Sequence, residues 1–124
     1  MSENNTEFLD VYIKTALMRK AENLVVLDVK KLSSYADYLL ICNGHSSRQV
    51  SSIAEFIKVT LKKENISPIS FEGFKEGQWA LLDYGDIVIH VFLQETREFY
   101  DIEGLWSDAK KINIDRFVTQ DTQS

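Results

Sequence analysis

Six consecutive residues, Tyr38-Leu39-Leu40-Ile41-Cys42-Asn43, leave a strand almost no polar side. Side chains alternate along a strand, so a run that is apolar at nearly every position is apolar on both faces. Such a strand belongs inside a sheet with cover on each side. The remainder of the chain must therefore supply neighbouring strands and helices to lie over them.

The flanking sequence does so. Gly44-His45-Ser46-Ser47 follows at once, and Ser46 and Gln49 have the spacing of a capping box. The helix that starts there extends to about Glu64, with Val50, Ile53, Ala54, Ile57 and Leu61 on one stripe. Asn65 is a plausible stop and Pro68 lies just beyond. Ile69 to Phe71 reads as the next strand, and strand–helix–strand at this spacing implies a right-handed parallel crossover. Upstream, Leu24 to Lys30 is a β-branched strand joined to the apolar run through residues 31–37. Phe8, Leu9, Tyr12, Ile13, Ala16 and Leu17 recur at helical spacing between Glu7 and Lys20, with Thr6 placed to cap that helix.

After a polar loop, Gln78 to Ala109 reads as a strand, a tight turn, a second strand, and a helical tail from about Glu95 to Lys111. The connections are short, so the last three strands form an antiparallel meander. The expectation is an α/β fold, with a mixed sheet of about five strands and flanking helices. Residues 7–112 make a single domain, residues 1–6 a flexible N-terminus, and residues 113–124 a flexible C-terminal tail.

Composition narrows the function. At 124 residues one core forms without disulfides or metal. Cys42 is the only cysteine, which excludes an internal disulfide and a thiolate metal cluster. The N-terminus reads as neither signal nor transit peptide, and no apolar run spans a bilayer, so a soluble cytoplasmic protein is expected. The net charge of -5 argues against affinity built mainly on phosphate neutralisation, and favours a basic partner.

Four features hold candidate functional residues. Gly44 and Ser46 open a helix after a strand, where free amides can bind phosphate; the same residues serve equally as a capped helix start. The P-loop lysine and glycine spacing are absent. Asp83 and Asp86 flank Tyr84-Gly85, as an acid/base pair, a metal pair, or the residues of a hairpin turn. A two-residue turn at Tyr84-Gly85 groups Trp79, Leu81, Val88, His90 and Phe92 on one face. A bulged turn moves Trp79 to the other. Either way both faces are apolar, so helices cover both sides or one face is free to bind. Trp79 and Tyr100 are the anchor candidates by residue type, with Asp83, Asp86, Glu95 and Asp101 as an acidic rim. His90 stands in an apolar strand with no nucleophile and third orienting group to serve, so no catalytic residue, metal or cofactor is assigned. Local RNA contacts fall to Arg97 or the Lys110-Lys111 pair.

Two blocks resemble the ribosome silencing factor family, also called the Iojap family. The first is Ala36-Asp37-Tyr38-Leu39-Leu40-Ile41-Cys42-Asn43-Gly44-His45-Ser46-Ser47-Arg48-Gln49-Val50, with Ile53-Ala54 after it. The second runs from Trp79 to Phe92 and continues to Arg97, Phe99-Tyr100 and Leu105-Trp106. The resemblance covers roughly residues 8 to 110. It implies a fold similar to nucleotidyltransferases, and binding to the fourteenth protein of the large ribosomal subunit. That binding blocks joining of the small subunit and represses translation when nutrients are scarce. It also implies contact residues at Trp79, Tyr84, Asp86, His90 and Tyr100, and homodimers in some members. The alternatives are a nucleotidyltransferase using Gly44, Ser46, Asp83 and Asp86, or a self-associating scaffold.

Overall fold

A computed structural model describes residues 6–122. A 3-10 turn, Glu7–Leu9, leads into helix α1, Asp10–Met18. Strand β1, Glu22–Asp28, and strand β2, Tyr38–Gly44, follow, then helix α2, Ser47–Lys63. Strand β3, Ser70–Glu72, precedes the hairpin of β4, Trp79–Asp83, and β5, Ile87–Leu93. The chain ends in helices α3, Gln94–Tyr100, and α4, Ile102–Leu105, strand β6, Lys110–Lys111, and helix α5, Asp115–Thr122.

The strands form one sheet of six in the order β3-β4-β5-β2-β1-β6. Every residue of β2 is buried, as its apolar sequence requires. Strand β2 runs parallel to β5 and antiparallel to β1. Strands β3, β4 and β5 make the expected antiparallel meander. The β2–α2–β3 crossover joins strands of the same direction but is not a nearest-neighbour connection: β5 and β4 come between them.

One face of the sheet packs under α1 and α2. Its core includes Ile13, Ala16, Leu40, Cys42, Ile53, Ile57, Leu61, Leu82, Ile89 and Val91. The stripe read along α2, Val50, Ile53, Ala54, Ile57 and Leu61, is buried as predicted. The cap forms in a shifted version of the expected box: Ser46 Oγ accepts the Gln49 amide at 3.1 Å, while Gln49 Oε1 accepts the amide of His45, one residue before the cap, at 2.6 Å. The opposite face holds a second cluster, with Leu27, Val29, Leu39, Ile41, Phe92 and Ile102 buried and Trp79, Val88, Trp106 and Ala109 packed against it.

Four expectations need correction. The sheet has six strands, not about five, because residues 95–111 are not one helix. Asp101 adopts φ 46°, a left-handed conformation that interrupts the helix and lets the chain return to pair β6 with β1. The C-terminal tail contains helix α5, and its approach is tied down rather than loose. Ile114 and Phe117, three residues apart, pack on the core, and Arg116 pairs with Asp10 at 2.5 Å. Thr6 does not cap through its side chain; its carbonyl accepts the Leu9 amide at 2.9 Å instead. The hairpin reverses one residue later than Tyr84-Gly85: Asp83 pairs with Val88, Tyr84 N–H donates to the Ile87 carbonyl at 2.9 Å, and Gly85 (φ 90°) and Asp86 make the turn. Of the expected flexible N-terminus, residues 1–5 lie outside the described residues.

Candidate functional site

The hairpin register decides which side chains meet. Trp79 faces Phe92, Leu81 faces His90 and Asp83 faces Val88, so all six share one face. This is the grouping expected of a two-residue turn. The face is the one away from α1 and α2. Ile102, Trp106 and Ala109 cover it over β1 and β2, while Trp79, Leu81 and Val88 on the hairpin stay half-buried. The face is therefore partly covered and partly open.

Trp79 is the hub of the open part. Its ring lies 4.8 Å from Phe92, 5.0 Å from Tyr100 and 6.0 Å from His90, measured between centroids. Its Nε1–H donates to His90 Nδ1 at 3.0 Å. His90 then carries its proton on Nε2, the neutral tautomer. Burial also holds His90 neutral, lowering its pKa to about 4. The histidine thus satisfies the indole N–H and stacks on Phe92 at an interplanar angle of 10°. Its role in the fold is structural support of Trp79.

Helix α3 brings Tyr100 over Trp79 from the far side of the cluster. Phe99 stands edge-on to Tyr100 at 5.0 Å and is 80 % exposed, and Leu105 on α4 is 78 % exposed. Together Trp79, Phe99, Tyr100 and Leu105 supply large apolar groups reachable from solvent, a feature of protein-binding surfaces. The stretch 94–109, which carries Phe99, Tyr100 and Leu105, holds the acids Glu95, Glu98, Asp101, Glu103 and Asp108 against the single base Arg97. Sequence reading singled out Tyr100 as an anchor, while Phe99 and Leu105 stood only in the family block, with no contact role. Apolar residues in helices of seven and four residues trace no stripe, so their outward direction was not legible.

The five expected contact residues do not form one cluster. Trp79, His90 and Tyr100 are together; Tyr84 and Asp86 lie toward the other end of the hairpin, about 17 Å from Trp79 and about 10–13 Å from His90 at the rise of a strand. Tyr84 turns toward α1, with its ring 5.4 Å from that of Tyr12 and its hydroxyl buried without a partner. Burial raises its pKa far above the usual phenol value. Asp86 has an exposed side chain, while its carbonyl accepts the amides of Asp37 and Tyr38. The acids of the proposed enzyme site are equally remote. Gly44 pairs with Leu93 at one end of β5, whereas Asp83 and Asp86 sit at its other end, about 20 Å off. Asp83 Oδ1 accepts the Gly85 amide at 2.8 Å, the work of a turn residue. Arg97, one of the two candidates for local RNA contact, is turned inward, with a side chain only 11 % exposed.

Comparison with known proteins agrees with the two sequence blocks and extends beyond them. The family model described as "Ribosomal silencing factor during starvation" matches residues 2–124. A ribosomal silencing factor of Halalkalibacterium halodurans is 35 % identical over 94 % of this chain and 99 % of its own length. A mouse protein named for mitochondrial assembly of the ribosomal large subunit is 29 % identical, over 80 % of this chain and 45 % of its own. A crystal structure of a Chromobacterium violaceum protein superposes with a TM-score of 0.78 at 36 % identity, covering 82 % of this chain and 84 % of that one.

Proposed function

This chain belongs to the ribosomal silencing factor family, and we propose that it represses translation by binding the large ribosomal subunit through that subunit's fourteenth protein. Bound there, it sterically keeps the small subunit from joining when nutrients are limiting. It acts in the cytoplasm, and no bond is made or broken.

The observation that carries this reading is the half-open aromatic cluster of Trp79, Phe99 and Tyr100, set beside an acid-rich stretch of the chain. Ribosomal proteins present basic surfaces to their surroundings, and an apolar centre with carboxylates beside it suits such a partner in both affinity and approach. The mouse relative's name, which refers to the ribosomal large subunit, supports the choice of subunit. Trp79 and Tyr100 are the anchors and His90 holds Trp79 in place. Tyr84 and Asp86 serve as a second contact at the far end of the hairpin. An interface of about 800 Å² per partner is wide enough to reach both ends.

A nucleotidyltransferase-like scaffold used for binding alone is consistent with the separation of Gly44 and Ser46 from Asp83 and Asp86. A homodimer formed on the aromatic face would compete with the ribosome for it. Co-sedimentation with purified large subunits, then with small subunits added, tests the proposal. Wild type should pellet with large subunits and lower the yield of joined ribosomes; folded Trp79→Ala and Tyr100→Ala should pellet less and lower that yield less at the same concentration. Full binding by both variants overturns the assigned face.

A further inference from the structure

Helix α3 carries Tyr100, yet none of its seven residues is buried. A helix that short does not persist on its own, and it has no apolar stripe to hold it on the sheet. What ties it down is Arg97. The guanidinium Nε donates to Glu103 Oε1 at 2.9 Å, and Nη1 donates to the Asn23 carbonyl and to Asn43 Oδ1, both at 2.8 Å.

Each acceptor depends on a local irregularity. Asn23 has φ 51° and lies where the β1–β2 register shifts between Glu22 and Val25, so its carbonyl is turned out of the ladder. Asn43 is 1 % exposed at the end of β2, a polar side chain in an otherwise apolar strand. Asp101 is left-handed and accepts the Gly104 amide with its side chain, which starts α4 and brings Glu103 back toward Arg97. A bulge, a buried amide and a broken helix thus converge on one planar cation. A lysine has no comparable fork.

We propose that Arg97 is a positioning residue for the binding face: it fixes the rotation of α3 so that Tyr100, three residues on, stands against Trp79. Its part in ribosome binding rests on the function proposed above; its part in holding α3 does not. Residues 94–101 are then a knob held chiefly by polar contacts, separable from the apolar sheet beneath, while Ile102 of α4 stays buried in the cluster on that sheet.

The full-length chain, free in solution, is the first test. In Arg97→Ala, hydrogen exchange of amides 94–101 should quicken roughly tenfold or more, while β2 and β5 keep their protection. The indole N–H resonance of Trp79 should shift as the Tyr100 ring leaves it, and Arg97→Lys should restore these readouts only in part. With large subunits, Arg97→Ala should weaken binding roughly 10- to 100-fold. Combined with Tyr100→Ala it should lose no more than the larger single loss, because both act through one ring. Unchanged exchange across 94–101, or binding losses that multiply, overturns the proposal. If Arg97→Ala unfolds the whole chain, Glu103→Gln carries the same exchange test, and loss of protection spread evenly over the sheet counts against a separable knob. If wild type fails to bind large subunits, the functional reading falls, and the exchange result still judges the anchor.

Discussion

Acid should weaken this protein through His90. In the folded chain its pKa is about 4, against 6.5 for an unhindered histidine, because the ring is enclosed and its Nδ1 is taken up by the Trp79 indole. The sign follows from proton uptake. Below pH 6.5 the unfolded chain gains a proton on His90 that the folded chain refuses, so unfolding becomes easier as pH falls. No penalty exists well above pH 6.5. It amounts to about 1 kcal/mol at pH 6, about 2 kcal/mol at pH 5 and about 3 kcal/mol at pH 4, and levels off below. The ring is only 8 % exposed, so solvent screening takes little from these figures. Urea melts of wild type and His90→Gln at pH 7, 6, 5 and 4 isolate the effect, since the glutamine does not titrate and every other group is common to both. The gap between the two stabilities should change by about 3 kcal/mol across that range. Equal acid sensitivity in the two proteins would refute the reasoning.

Tyr84→Phe removes a buried hydroxyl that has no hydrogen-bond partner, so thermal or chemical melts should show a gain of about 1 kcal/mol. The same variant should bind large subunits nearly as wild type does, because the hydroxyl is enclosed on the α1 side. Trp79→Ala and Tyr100→Ala should each cost about 1–4 kcal/mol of binding, read by titration against labelled large subunits. Tyr100 is 51 % exposed, and its variant should melt close to wild type.

The parts of the fold legible in the sequence are those with long apolar patterns. The run from Tyr38 to Asn43 announced a fully buried strand, and the stripe on α2 announced a helix over a sheet. Ser46 and Gln49 announced where that helix starts. After Leu93 the pattern gives out. Helices of seven and four residues and a strand of two are too short for any periodicity. What shapes them is the left-handed Asp101 and the long-range contacts of Arg97 with Asn23 and Asn43, 74 and 54 residues away in the chain. The candidate site divided in the same way. Residue type and strand alternation singled out Trp79, His90 and Tyr100, which do meet. Tyr84 was grouped with them by the family resemblance, but its ring follows the opposite face and joins Tyr12. Phe99 and Leu105 needed the coordinates, since only their exposure distinguishes them from core residues.

The most direct test of the central claim places a photo-crosslinking phenylalanine at position 99, beside Tyr100 and exposed to solvent. The labelled protein is bound to purified large subunits and irradiated, and the linked component is identified by mass spectrometry. The account predicts one dominant adduct with the fourteenth protein of the large subunit, lost in Trp79→Ala. Efficient binding with crosslinks spread over ribosomal RNA or other proteins, and none to that protein, would contradict it.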